Sequence, residues 1–371
     1  MGKIKRALGL MSGTSMDGID VAAIETDGLT CVQRVGFESY SYGADFREKL
    51  LQAVDDAHNL VDRNARPGCL AVVETELTRR HAEIVRAFLL AIGWRVDTTD
   101  VVGFHGQTLL HRPEAGLTVQ IGDGQALTDA TQIPVVYDLR AADVVAGGQG
   151  APLAPVFHRA LVSSLKRPSI AVVNIGGVAN ITWVGSGEEL ISFDTGPGNA
   201  LIDDWVSGRT DASCDLEGKL AEAGQVDRKF VDAFLAHPYF SRIPPKSLDR
   251  NAWVVDGLQG RSLADGAATL TACTAETIAK AGSLLAKPPE TWIVCGGGRK
   301  NKTLMAMLAS VVDGEIKSAE DVGWNGDSVE AEAWAYLAVR SVEGLPITFP
   351  GTTGVSAPEK GGILCRPAVA R

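Results

Sequence analysis

The chain has 371 residues, 45% of them apolar and 22% charged, with a net charge of −10. That is the make-up of a globular protein with a real core, on the scale of about two domains, and it excludes a disordered or fibrous chain. With no long basic run, wholesale binding to a phosphate backbone is excluded as well, so nucleic acid is not an expected partner.

In chain order, the basic opening Met1-Gly2-Lys3-Ile4-Lys5-Arg6 is followed by an apolar run that Ser12-Gly13-Thr14 interrupts before a signal-peptide core can form. Residues 5–11 and 19–25 are β-leaning runs, and a third over 31–40 follows Asp27-Gly28, a strong hairpin signal. An antiparallel meander is therefore expected to open the chain. Helices are expected over 45–57 and 70–92, then short strands over 101–104, 117–121 and 133–136. A second pattern begins near residue 150, where Gly150-Ala151-Pro152 suits a helix start with proline in its first turn. Three β-rich runs over 169–174, 180–184 and 189–193 repeat the opening meander. Helices over 227–235, 264–285, 303–310 and 328–342 and a strand over 291–295 complete the pattern.

The two halves thus share an architecture, a three-strand meander followed by α/β alternation, without sharing residues. They predict a two-lobed α/β protein whose ligands sit in a cleft between lobes. The lobes are expected over 1–140, joined by part of the C-terminal segment at about 343–371, and over 141–342. Six scattered cysteines without a CxxC pair fit neither zinc nor a disulfide framework, and they suit a reducing cytoplasm. No apolar stretch approaches the ~20 residues of a membrane span.

Glycine, at 41 residues, exceeds the roughly 7% usual, and the excess is clustered. In Gly9-Leu10-Met11-Ser12-Gly13-Thr14-Ser15-Met16-Asp17-Gly18-Ile19-Asp20, a small-residue hairpin tip offers N–H groups and hydroxyls able to wrap phosphate oxygens. It lacks the lysine of a P-loop, and a plain hairpin turn is the alternative. Asp17 and Asp20 suit a metal-water shell or simply fix the turn. In Phe193-Asp194-Thr195-Gly196-Pro197-Gly198-Asn199, Asp194 stands where a general base or a ligand to a magnesium water would project, while Asn199 is the nearer helix cap. Gly176-Gly177 and Gly296-Gly297-Gly298 are further strand-end turns that let a nucleotide approach the backbone. His105 and Gln107 follow a strand, where donors for sugar hydroxyls or an amide would be useful, and Arg140, Gln149 and Glu330 lie in further polar clusters. Against that, His105 could be a structural histidine and Glu330 a capping-box partner of Asp327. Neither Ser164 nor any cysteine has the partner signature of a covalent nucleophile.

Together the segments 9–20, 103–108, 118–123, 145–158, 174–182, 193–205 and 295–301 resemble the anhydro-N-acetylmuramic acid kinase family of the actin/hexokinase/Hsp70-like (ribonuclease H-like) ATPase superfamily. The resemblance implies a cytoplasmic kinase of peptidoglycan recycling. It would use ATP and Mg2+, take 1,6-anhydro-N-acetylmuramic acid to N-acetylmuramate 6-phosphate, and could form a homodimer. On this sequence it makes residues 13–20 (Gly13, Thr14, Ser15, Met16, Asp17, Gly18, Ile19 and Asp20) the phosphate loop and Asp194 the base. Gly176, Gly177, Gly296, Gly297 and Gly298 would complete the nucleotide cleft, and His105, Gln107, Arg140, Gln149 and Glu330 would face the sugar. The superfamily's first phosphate loop usually begins with an aspartate; residues 10–12 offer none, so the metal ligands are unassigned. The rival expectations are a simple sugar kinase acting on a reducing amino sugar and a non-kinase ATPase of the same superfamily.

Overall fold

The computed structural model describes residues 2–165, 167–187, 189–248, 253 and 257–368. Its strands are β1 (Lys5–Ser12), β2 (Gly18–Thr26), β3 (Val32–Ser41), β4 (Val101–Arg112), β5 (Leu117–Ile121), β6 (Val135–Tyr137), β7 (Ile170–Ile175), β8 (Val178–Val184), β9 (Leu190–Pro197), β10 (Thr291–Cys295), β11 (Glu315–Ser318) and β12 (Ile363–Cys365). The α-helices are α1 (Ala44–Ala57), α2 (Leu70–Ile92), α3 (Gly124–Thr131), α4 (Ala141–Val145), α5 (Pro155–Val162), α6 (Ala200–Ser207), α7 (Lys219–Ala223), α8 (Arg228–Leu235), α9 (Leu263–Gly282), α10 (Lys302–Val311), α11 (Val329–Val342) and α12 (Pro350–Thr353).

Two compact units result, one from residues 1–164 and 328–371 and the other from 165–327. These boundaries differ from the 140/141 and 342/343 expected from sequence. The reason lies in packing: α5 and α11 both lie against elements of the first unit. In that unit the sheet runs β12-β6-β4-β1-β2-β3, with β5 on the far half of β4. In the second it runs β11-β10-β7-β8-β9. Each sheet is an antiparallel three-strand meander whose first strand pairs in parallel with a later one, β1 with β4 and β7 with β10. The architectural repeat read from the sequence is therefore present in the strand order.

Two glycines set how α11 lies on the first sheet. Gly9 and Gly103 are register partners in β1 and β4. A Cβ on either would run into α11 backbone, the Ala331 carbonyl oxygen in one case and that of Trp334 in the other. The helix can approach so closely only because both side chains are absent. Leu8, Leu10, Val21, Val85, Phe88 and Phe104 form the core between this sheet and α2. Trp183, Phe193, Ile278, Trp292 and Leu304 hold the second unit together.

Two local expectations need correction. The proline that opens a helix near residue 150 is Pro155, at the start of α5, and Pro152 lies outside it. The strand expected to stop at Phe104 continues to Arg112, so His105 and Gln107 lie within β4 and not beyond it. Gly106, at φ 71°, bends β4 there, and the strand changes partners from β1 and β6 to antiparallel β5.

Candidate active site

In the first unit, β1 and β2 are joined by a tight turn in which the Met16 N–H donates to Gly13 O at 3.1 Å. Met16 holds a left-handed φ of 53°, a conformation that costs a residue with a Cβ about 1–2 kcal/mol. Its side chain is buried against Phe46, Leu50 and Ile121, so it anchors the turn from beneath. Asp17 accepts the Ser15 hydroxyl at 2.8 Å, and its carbonyl accepts the Tyr42 N–H. Gly18 and Ile19 already belong to β2, and Ile19 is core. Of the predicted phosphate loop, Thr14, Ser15 and Asp17 are exposed, with Gly13 and Asp20 partly so.

Two histidines fix the end of β1 from either side. His105 Nε2 accepts from Arg140 Nε and Nη2 at 3.2 and 3.1 Å. Arginine cannot accept, so the His105 proton sits on Nδ1, which donates to Ser12 O at 3.0 Å. His81 Nδ1 donates to Leu77 O, leaving Nε2 to take the Ser12 hydroxyl at 3.0 Å. Burial holds both imidazoles neutral, His81 down to about 4 and His105 well below its ordinary value. With both ring nitrogens engaged, His105 orients Arg140, whose guanidinium also lies 5.1 Å from the centre of the Trp334 ring and donates to Gly150 O at 2.9 Å.

Gln107 donates to Gly13 O at 3.0 Å, while its buried Oε1 has no hydrogen-bond partner. Gln149 is held through its backbone, its N–H on Thr353 O and its carbonyl on the His111 ring. Glu330 is exposed on the first turn of α11. It forms no capping box with Asp327: the N-cap position is Ser328, which makes no side-chain cap bond and whose hydroxyl donates instead to Glu332 at 2.7 Å. Although its side chain reaches solvent, desolvation by the surrounding protein raises the Glu330 carboxyl, Arg140 lowers it and Asp20 raises it. Burial brings Arg140 down to about 10, against the pull of Glu330 and Asp143. Arg140, Glu330 and Asp20 thus form one electrostatic group, joined to the phosphate-loop turn through His105.

In the second unit the glycine turns come together at the end of β7. The α6 start folds onto the 176–177 turn: Asn199 N donates to Gly176 O at 2.7 Å and Ala200 N to Gly177 O at 3.2 Å. The Asn199 side chain reaches Ile175 O instead of capping α6. A Cβ on Gly296 would meet Asn174 and Ile175, and one on Gly298 would meet the Ile175 side chain. Gly297 is exposed, and a Cβ there would make only an ordinary contact, 3.7 Å from the Asn199 side-chain nitrogen. Two of the three glycines therefore serve close packing on β7, and the middle one presents bare backbone.

Asp194 lies within the edge strand β9. Its Oδ2 accepts the Leu248 N–H at 2.8 Å and its own N–H donates to Lys246 O at 3.0 Å. Burial pushes its carboxyl up to about 7, opposed by the Leu248 N–H and by Lys246. A carboxyl near 7 with one oxygen fixed is suited to accept a proton at neutral pH. Among the described residues no group of three or more His, Cys, Asp or Glu could hold a metal ion, and no helix is long and apolar enough to cross a membrane.

A sequence profile described as anhydro-N-acetylmuramic acid kinase matches residues 5–366. The chain belongs to the anhydro-N-acetylmuramic acid kinase family. It is 54% identical over 368 residues to an anhydro-N-acetylmuramic acid kinase of Azorhizobium caulinodans, covering 98% of this chain and 99% of that one. It is 52% identical over 362 residues to another of Rhizorhabdus wittichii, covering 97% and 99%. Among solved structures, component A of (R)-2-hydroxyglutaryl-CoA dehydratase from Acidaminococcus fermentans aligns over 91% of this chain and 99% of its own, with a TM-score of 0.48 at 10% identity. Membership of the anhydro-N-acetylmuramic acid kinase family makes the chain an ATP-using kinase. Each of its two α/β units carries a three-strand meander with a later parallel strand, the α/β organisation expected from the sequence. Sequence reasoning missed Tyr239, Lys246 and the Leu248 N–H around Asp194, and Trp334 behind His105 and Arg140. No local spacing marks them, because their places depend on tertiary packing.

Proposed function

We propose that the protein opens 1,6-anhydro-N-acetylmuramic acid with water at C1 while O6 takes the γ-phosphoryl group of ATP. The products would be N-acetylmuramate 6-phosphate and ADP, in peptidoglycan recycling. The observation that carries this reading is Asp194, a carboxyl raised to about 7 with one oxygen held by a backbone N–H, in a chain of this family. Asp194 takes a proton from water as the water oxygen bonds C1 and the C1–O6 bond breaks. O6 then bonds the γ-phosphorus, whose bond to the bridging oxygen of ADP breaks. An inverting glycosidase needs a second carboxylic acid to protonate the leaving oxygen. Here the phosphoryl group captures that oxygen, so one carboxylate is enough.

The exposed tip at Gly13, Thr14 and Ser15 supplies donors for the phosphates, with Asp17 and Met16 fixing the turn and Gly18, Ile19 and Asp20 continuing it into β2. Gly297, flanked by Gly296 and Gly298 and by the Gly176-Gly177 turn, offers open backbone to the rest of the nucleotide. Arg140, Glu330, Gln107 and Gln149 take the sugar, and His105 orients Arg140. Magnesium takes one or two carboxylates, with waters and phosphate completing its shell. Asp20, which interacts electrostatically with Glu330, is a donor of that kind, and the bound ion would neutralise charge on the transferring phosphoryl group. Cytoplasmic residence and a homodimer belong to the same proposal, the first supported by six free cysteines. The test is ADP release against a panel of anhydro and reducing amino sugars. Release with the anhydro sugar supports the proposal; release only with reducing sugars would favour a simple sugar kinase.

A further inference from the structure

β9 is the outer strand of its sheet, so the main chain at Asp194 faces away from β8 and needs partners elsewhere. The segment 239–248 supplies them. Tyr239 donates its hydroxyl to Asp194 O at 2.7 Å, Lys246 O accepts the Asp194 N–H at 3.0 Å, and the Leu248 N–H reaches Oδ2 at 2.8 Å. The circuit is closed by the Lys246 side chain. Only 5% exposed, its Nζ donates to Tyr239 O at 2.9 Å and stands 4.5 Å from the centre of the Tyr239 ring and 5.4 Å from that of Phe193. A buried ammonium is expensive unless compensated. Two ring faces and one carbonyl compensate it in part, and among the described residues the counter-charge acting on it is Asp194.

We infer that Lys246 is a positioning residue for Asp194, pinning the 239–248 segment across the edge of β9 and supplying the positive charge that keeps the carboxylate ionised. The inference rests on the reading of Asp194 as the base. Burial lowers Lys246 to about 8, with Arg242 and Lys280 pushing the same way and Asp194 opposing. Burial and the Asp194 charge raise the Tyr239 hydroxyl, so it stays a donor throughout. Between about 7 and about 8, then, Asp194 is ionised while Lys246 is still charged. A rate profile that rises through the first value and falls through the second follows.

The test combines a titration that needs no turnover with one that does. The Asp194 carboxyl is followed by carbon NMR, with Asp194→Asn assigning the signal, in the wild type, Lys246→Met and Lys246→Arg; kcat/KM is measured against pH in the same proteins. In Lys246→Met the carboxyl midpoint should rise by about one unit or more, and the acid limb of kcat/KM should follow it. In Lys246→Arg the midpoint should stay near the wild-type value and the alkaline limb should move to higher pH, because the guanidinium keeps its charge. A carboxyl midpoint unchanged in both variants would overturn the inference. A midpoint that moves while the acid limb stays still would support the inference and remove Asp194 from the base role. Should Lys246→Met fail to fold, the alkaline limb of Lys246→Arg decides: moved upward it supports the inference, and unmoved it overturns it.

Discussion

Replacing Asp194 by asparagine separates a base from a structural acceptor, because the amide keeps an oxygen for the Leu248 N–H but cannot take a proton from water. Asp194→Asn is therefore expected to bind ATP as the wild type does and to lose about 10²–10⁴-fold in kcat, the range associated with general-base catalysis. Calorimetric ATP binding beside steady-state rates checks this; activity within tenfold of wild type would remove Asp194 from the role. The same substitution has a pH-dependent effect on stability. The folded carboxyl titrates near 7 against an ordinary 3.8, so the folded state binds the extra proton. The stability tied to that proton is present below about 3.8 and is lost as pH rises through about 7. Asp194→Asn escapes that loss. Its melting temperature relative to wild type should climb between pH 4 and 7 and level off above, which thermal unfolding across pH measures directly.

At the scale of elements, glycines that look alike in the sequence do different work. Gly9→Ala and Gly103→Ala drive a methyl group into the α11 backbone. Each should destabilise the chain by about 1–3 kcal/mol, the cost of overpacking a tight contact, seen as a lower denaturation midpoint. Gly298→Ala should behave likewise through Ile175, whereas Gly297→Ala makes only an ordinary contact with Asn199 and should fold normally. Its expected effect is weaker ATP binding, so comparing unfolding and ATP affinity across the four variants tests the division of labour. The sequence reveals elements where the pattern is long or clean: the 23-residue helix α2 carries a stripe of Leu70, Val73, Leu77, Ala82, Val85, Phe88 and Leu89 on its buried face. It does not reveal β4 beyond Phe104, because Gly106 bends the strand and the new partner β5 is set by tertiary pairing. The three-residue strand β12 offers too few positions for any period to show.

For the whole molecule, the paired meanders were legible because hairpin signals and glycine turns recur in the same order in both halves, and the strand orders agree with that reading. The unit boundaries were less so. α11 follows the second half in sequence yet seats on β1 and β4 through Gly9 and Gly103, a contact between residues hundreds of positions apart. Much the same holds for the site: Asp194 stands out as an acid beside a Gly-Pro-Gly turn, while Lys246 becomes visible only when burial and distance are known. The central claim, that ring opening by water and phosphoryl transfer to O6 are one event, is tested by turnover in heavy-oxygen water with rapid quenching. The account predicts label on the anomeric hydroxyl, an unlabelled bridging oxygen between C6 and phosphorus, and unlabelled phosphoryl oxygens. Label in free phosphate, or an anhydro sugar left intact, would contradict it.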